Sequence, residues 1–456
     1  MKLKFLTIFV VCSIIILPVL SSIPVLSANP EMPSDVPEDH IIEGAPYVSQ
    51  EMGVSCHYGV LTMILQYYGI NITEQELRHN TGSGFSVGYL SEPRLIISGI
   101  DSSNWDGDRE FIASLYGLSY ENWKSPSSLS GEKFWQEYWF RIKQNISQNI
   151  PVWAWANPVY LKSIRSTISE TFQMPERIWK NLPDFLFKII TEINKPFHAI
   201  LIVGYNEKNN SICIHDPGPG VTGYPQFGKY MWMNLSDYKN SITDVSKDIN
   251  CYNSFITFQK ISKEPLNKTA VFKLSFKRNL QRMKGNISAY DKMWSDFDLG
   301  INALKELKKN FEPGLKNRFA TILKYKFETP IIKRIYRAGI FLNNIGPKLV
   351  DLSMIEFMVS QYHRITFEKQ DIAKYLWKVK DLINDANLSS MCRETSLLLS
   401  QEAENWNNLA SYYTKFLKRG VFMSFPLSVI LINRMADSLD NIIAIEEAII
   451  AGPTNN

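Results

Sequence analysis

The sequence has little cysteine and histidine and no marked excess of either charge. Five cysteines and six histidines occur among 456 residues, and their spacing fits neither a disulfide scaffold nor a zinc cluster. We therefore expect no metal and no other cofactor. The 49 basic and 45 acidic residues leave a net charge of +4, which gives no indication of a nucleic-acid partner.

A phosphate-binding glycine motif is also missing. The segment 83–88 (SGFSVG) is rich in glycine, but it does not follow a strand and open a helix as such a motif must. We expect it to form a loop at the rim of the functional site. The sequence therefore does not support a kinase or a nuclease.

Long apolar runs are confined to the N-terminus. Lys2 and Lys4 precede an apolar run at 5–20, and small residues follow it, as in export signals. We expect residues 1–28 to be a signal peptide or an uncleaved N-terminal anchor, and the Pro-rich, acidic residues 29–40 to be a tether. These features predict a protein that is secreted or tethered to the outer face of the cell membrane. They do not predict its oligomeric state.

The rest of the chain has the composition of a packed globular protein, with 45% hydrophobic and 21% charged residues. Residues 41–261 mix helical and strand patterns, which predicts an α+β domain. The apolar signal thins and charge rises over 262–284, so we expect a linker there whose basic residues face solvent. Residues 285–456 follow helical spacing almost throughout and predict an all-α domain.

Cys56 is the first candidate for chemistry. The residues 60–68 are apolar at helical spacing, and Gly69 follows where a helix commonly ends. Cys56 is therefore expected at the start of a helix. The N–H groups and the macrodipole at a helix N-terminus favour an anion, and the thiolate is the nucleophilic form of cysteine.

A histidine distant in sequence can serve as the base for such a thiolate. His198 opens an apolar run at 198–205, residues 207–210 (EKNN) have the composition of a turn, and 211–216 reads as the return strand. In this hairpin Asp216 can meet His198 and orient its imidazole, as the third member of a catalytic triad does. Gln50, six residues before Cys56, can donate its side-chain amide to a developing oxyanion, with the Cys56 N–H as second donor.

Each of these residues also has a structural interpretation. A buried cysteine is often only a small apolar residue, and a histidine at a strand start is often a satisfied polar group. His57 and His215 adjoin the candidates, but His215 should point away from Asp216 because neighbouring strand residues face opposite sides. Cys213 and Cys251 lie in strand-like runs, and we prefer two buried thiols to a disulfide.

The segments around the candidates resemble the bacteriocin-processing, double-glycine-leader cysteine peptidases and their stand-alone relatives. Residues 50–69 are similar to that group's cysteine helix, 149–153 to its central strand, and 198–204 with 216–217 to its His and Asp motifs. The resemblance implies a papain-like cysteine peptidase fold over about 41–261. It also implies a Cys56–His198–Asp216 triad with Gln50 as oxyanion donor, a covalent acyl-enzyme, and a peptide or amide-containing substrate. The residues flanking Cys56 differ from the Asp and Gly common in that group.

A second resemblance is to the butirosin biosynthesis protein H type of acyltransferase. It is carried by Cys56 and its helix, the segment 81–85 (TGSGF) and the helical segment 404–409 (ENWNNL). That group is thought to transfer an acyl group to an amine with the same Cys and His. An export signal favours the hydrolase because acyl-carrier donors are cytosolic. The open alternatives are this acyltransferase and a catalytically inactive papain-fold binding protein.

We also expect a helical insertion at about 160–196 that covers the cleft.

Overall fold

The computed structural model of the chain describes residues 36–51, 55–90, 95–99, 106–163, 198–221, 223–243, 254–286, 297–309, 346–419 and 425–452. The described residues from Glu38 onward belong to one compact unit. The expected signal segment, most of the tether and nearly all of the expected insertion at 160–196 lie outside the described residues.

Within the described residues, ten strands form two antiparallel sheets. The strands are β1 Asp39–Ile41, β2 Gly88–Leu90, β3 Leu95–Ile97, β4 Leu118–Lys124, β5 Val152–Ala156, β6 His198–Asn206, β7 Ser211–His215, β8 Met231–Asn234, β9 Ser254–Lys260 and β10 Asp298–Leu299. The larger sheet has the order β4-β9-β5-β6-β7-β8, with β1 also paired to β6, and the smaller has the order β10-β2-β3. The central strands β5 and β6 are buried almost throughout, as their continuous apolar sequences predict.

The described residues also form eleven α-helices. They are α1 Cys56–Tyr67, α2 Glu74–Thr81, α3 Asp106–Leu115, α4 Gly131–Ser147, α5 Gly218–Val221, α6 Leu235–Thr243, α7 Lys268–Met283, α8 Ile301–Lys309, α9 Gly346–Val379, α10 Ala386–Arg419 and α11 Phe425–Ala451. The mixed first part followed by a helical C-terminal region confirms the expected α+β class with an all-α extension. No helix among the described ranges is long and apolar enough to cross a bilayer.

Two expected boundaries are wrong. The tether was expected to run to residue 40, but Asp39 and His40 already pair with β6 as part of β1. The segment 262–284 was expected to be a solvated linker, but most of it forms α7, which packs against α2. One of its basic residues explains this packing. Arg282 is buried and paired with Asp108, and it donates to the Thr81 carbonyl at 2.7 Å. A cation at the end of α2 satisfies carbonyls that have no partner inside that helix.

The small sheet packs with the helical C-terminal region. Val87, Tyr89 and Ile96 share one apolar core with Leu304 of α8 and Trp406 of α10. The glycine-rich segment is buried against α9, because the Gly84 N–H and the Ser83 hydroxyl both contact the Glu368 carboxylate at 3.2 Å. It was expected at the rim of the functional site, and its place under α9 corrects that.

Candidate active site

Cys56 is the first residue of α1. The helix ends with the Gly69 and Ile70 N–H groups bonded back to Gln66 and Leu65, and Gly69 has a φ of +85° that suits glycine. Cys56 is 7% exposed. Its sulfur accepts the Ala199 N–H at 3.4 Å, which places the start of α1 beside the start of β6. The expected position of Cys56 at a helix N-terminus is confirmed.

His198 is the first residue of β6, so it lies next to the N–H that contacts the sulfur. Its Nε2 is 2.6 Å from Oδ1 of Asp216, the residue that follows β7. The expected hairpin is confirmed, because β6 ends at Asn206, four turn residues follow, and β7 begins at Ser211. The Cys56 side chain also acts on this ring, because it raises the pKa of His198. Since Nε2 is used by Asp216, the remaining Nδ1 is the nitrogen available to the sulfur.

The charges of Asp216 and His198 shift each other's pKa values. Burial favours the neutral imidazole, but the Asp216 carboxylate and Cys56 outweigh burial and raise the pKa of His198 to about 10. Burial likewise favours the neutral carboxyl of Asp216, yet His198, Ser163 and the Gly218 N–H hold its pKa below the ordinary value. A protonated imidazole is therefore held between a carboxylate and the cysteine sulfur.

Asp216 is fixed by contacts on every side. Ser163 donates its hydroxyl to Oδ2, and the Gly218 N–H donates to Oδ1 at 2.8 Å. The Asp216 backbone donates to Gly228 at 2.8 Å and accepts the Tyr47 hydroxyl at 3.0 Å. Sequence reasoning missed Ser163, because an isolated serine after the central strand carries no motif and meets Asp216 only through the fold.

Replacing Ser163 with alanine is expected to lower the free energy of unfolding by about 1–3 kcal/mol, because a buried carboxylate loses a donor. Urea denaturation at about pH 7 measures this change. Ser114→Ala, at an exposed helical serine that bonds only its own turn, is the control and should change little. Equal effects of the two substitutions would show that the contact with Asp216 contributes nothing.

Gln50 is buried beside α1 and the residues that follow β7. Its N–H donates to the Pro217 carbonyl at 3.1 Å, directly after Asp216. Gly59, one turn into α1, permits this approach, since a Cβ there would lie 2.8 Å from Cβ of Pro217. The fold thus brings the backbone of Gln50 to the helix of Cys56, and the role of its side-chain amide stays a prediction.

The two other nearby histidines have structural surroundings. His215 lies edge-on to Tyr47 and Tyr230, with Nδ1 3.0 Å from the Pro46 carbonyl, and burial lowers its pKa to about 4. Burial and the nearby guanidinium groups of Arg109 and Arg78 keep the pKa of His57 well below its ordinary value. Both rings are therefore neutral near pH 7 and ill suited to replace His198.

The other described cysteines differ from Cys56 in their surroundings. Cys213 lies in β7 and Cys392 in α10, and both are buried thiols rather than halves of a disulfide. Burial raises the pKa of each to about 12. Cys251 lies outside the described residues. Across the described ranges, no group of three or more His, Cys, Asp or Glu side chains is arranged to hold a metal ion.

Comparison with known proteins gives one family. Residues 42–246 match the model of the Peptidase_C39 like family, and this range contains Gln50, Cys56, His198 and Asp216. No curated protein gives a significant match to the chain. The match gives no support to the acyltransferase resemblance. It supports a C39 cysteine peptidase-like relationship for residues 42–246, which is somewhat less than half of the chain.

Proposed function

We propose that this protein is an exported thiol hydrolase that cleaves a peptide or another amide through a Cys56–His198–Asp216 triad. The observation that carries the proposal is the position of the Cys56 sulfur at a helix N-terminus and beside the start of β6, where the His198 ring is bonded to Asp216. The family relationship of residues 42–246 supports the same reaction class.

The proposed first half-reaction forms a thioester. The Cys56 thiolate attacks the substrate carbonyl carbon, a C–S bond forms, and the carbonyl oxygen becomes an oxyanion. The Cys56 backbone N–H and the Gln50 side-chain amide are the two proposed donors to that oxygen. The His198 imidazolium gives its proton to the leaving amine as the C–N bond breaks.

The second half-reaction is hydrolysis. Neutral His198 takes a proton from water, the resulting hydroxide attacks the thioester carbonyl, and the C–S bond breaks to release a carboxylic acid. Asp216 keeps the ring in the orientation and tautomer that both steps need. Export is proposed from the basic and apolar residues at the N-terminus, and it places this reaction outside the cell or at its outer face.

Alkylation by iodoacetamide tests the thiolate–imidazolium pair. At about pH 6, Cys56 is expected to react about tenfold or more faster than Cys213 and Cys392, since an ordinary thiol with a pKa near 8.5 is almost fully protonated there. Mass spectrometry after proteolysis reads each cysteine separately. His198→Ala should remove the advantage of Cys56, because no imidazolium then accompanies the sulfur.

Cys213 and Cys392 are internal controls in every sample, because burial raises the pKa of both thiols. Equal rates at all three cysteines in the wild type would contradict the proposal and favour a catalytically inactive binding protein. An unchanged Cys56 rate in His198→Ala would contradict the pairing with His198.

A further inference from the structure

One buried carboxylate ties together both ends of the segment that joins Gln50 to Cys56. Glu74, the first residue of α2, accepts the Glu51 N–H on its Oε2 at 3.0 Å. The same side chain is hydrogen-bonded to Ser55, the residue before Cys56. Glu74 is 2% exposed. The distance between the proposed oxyanion donor and the nucleophile is therefore set partly by a residue that is in neither motif.

Arg78 holds Glu74 in place. Its Nη1 lies 2.5 Å from Glu74 Oε1 one turn back along α2, and its Nη2 lies 2.5 Å from Glu51 Oε2. The guanidinium is 1% exposed, so it depends on these carboxylates for its solvation. Arginine suits this role because its planar group donates to several oxygens at fixed angles.

The third partner of Arg78 comes from the helical C-terminal region. Asp371 of α9 accepts Nε of Arg78 at 3.1 Å and Nη2 at 2.9 Å, both on Oδ2. Its Oδ1 accepts the side chain of Gln75 at 2.8 Å. Asp371 lies outside the matched range 42–246, so the helical region supplies a charge to a network that ends beside the nucleophile.

We propose that Asp371 is a positioning residue for the active site: through Arg78 and Glu74 it fixes the two ends of the Gln50–Cys56 segment. The helical region is then a part of the catalytic unit rather than a separate module. This inference rests on the proposed function, because it assigns Gln50 and Cys56 their roles in oxyanion binding and attack.

The expected effect falls on oxyanion binding more than on the thiol. Asp371→Asn keeps the shape of the side chain but removes its charge from a buried guanidinium, so Arg78 must redistribute its contacts among Glu51 and Glu74. Those two residues hold the segment that carries Gln50. The sulfur keeps its separate contact with Ala199, and Asp216 keeps its contact with His198.

Two probes separate these effects. Alkylation of Cys56 by iodoacetamide is a direct displacement at carbon that forms no oxyanion, whereas acylation by p-nitrophenyl acetate passes through one. For Asp371→Asn we expect acylation to slow by about tenfold or more, since loss of one oxyanion donor costs about 10²–10³ in rate. Alkylation should stay within about twofold of the wild type, because the thiolate–imidazolium pair is intact.

Asp440→Asn is the matched control, since Asp440 of α11 also pairs with a cation of the helical region, Lys308, but in a contact more than half exposed on the carboxylate side. It should leave both rates unchanged. Wild-type acylation in Asp371→Asn, or an equal fall in both rates, would overturn the inference. Failure of the proposed function is a different result, because wild-type Cys56 would then be no more reactive than Cys213 with iodoacetamide.

Discussion

Replacing Asp216 with asparagine is expected to slow acylation of Cys56 by p-nitrophenyl acetate by about 10²–10⁴-fold, the cost of losing the third member of a triad. In the wild type the carboxylate raises the pKa of His198 to about 10, against the effect of burial. Without that charge only Cys56 opposes the effect of burial, so the pKa of His198 falls and the imidazolium becomes less stable. The Cys56 thiolate then loses its counter-charge.

The pH dependence makes this expectation specific. The wild type should keep the iodoacetamide reactivity of Cys56 from about pH 6 up to the pKa of His198, because the imidazolium persists over that range. Asp216→Asn should react well only above about pH 8.5, like an ordinary thiol. Asp381→Asn, at an exposed carboxylate paired with Lys380, is the control and should follow the wild type. A wild-type pH profile in Asp216→Asn would show that Asp216 does not support the base.

Lys369→Met is expected to give the largest loss of stability. Lys369 of α9 lies between Glu402 of α10, at 2.7 Å, and Glu446 of α11, at 2.9 Å, and all three side chains are 0–1% exposed. Removing the cation leaves the acidic side chains of Glu402 and Glu446 buried beside each other without their shared partner. Breaking a buried ion pair from one side costs about 3–5 kcal/mol, and urea denaturation at about pH 7 measures it.

Lys305→Met is the matched control, because Lys305 pairs with another α11 carboxylate, Glu447, in a contact that is half exposed at both ends. Exposed pairs contribute about 0–1 kcal/mol. If the free energy of unfolding falls no more in Lys369→Met than in this control, the buried ion pairs of Lys369 do not contribute to stability. Such a result would mean that the carboxylates take up protons or water at little cost.

The buried group of Lys369, Glu402 and Glu446 also makes the free energy of unfolding depend on pH, with a definite sign. Burial and the neighbouring Glu446 raise the pKa of Glu402 to about 8, against the attraction of Lys369. The folded protein therefore holds a proton that the unfolded chain has already lost between pH 4.5, the ordinary value, and about 8. The contribution of Glu402 to stability is fully present below that window and is lost as pH rises through it.

The parts of the site that could be predicted from the sequence are those set by short-range patterns. The helix after Cys56, its end at Gly69 and the hairpin after His198 depend on neighbouring residues, and each was found where expected. The parts that could not be predicted depend on which distant groups share a buried space. Ser163 meets Asp216, and Asp371 meets Arg78, only because sheets and helices pack in one particular way.

The segment 262–284, which was expected to be a linker, also could not be predicted from local composition. A run of lysines and arginines usually faces water, so the local composition at 262–284 favoured a solvated segment. In the structure Arg278 and Arg282 both contact Asp108 of α3, and Asn279 donates to the His79 carbonyl at 2.7 Å. Local composition does not show whether a cation has a buried acidic partner elsewhere in the chain.

The close approach of Gly59 to Pro217 has a consequence for how this protein can change during evolution. One position lies in the helix of the nucleophile and the other directly after the acid, and a methyl group at 59 would already press on the proline ring. A larger residue at 59 therefore requires a smaller one at 217 if Cys56 and Asp216 are to keep their spacing. Substitutions at positions 59 and 217 should therefore occur together among descendants that keep this chemistry.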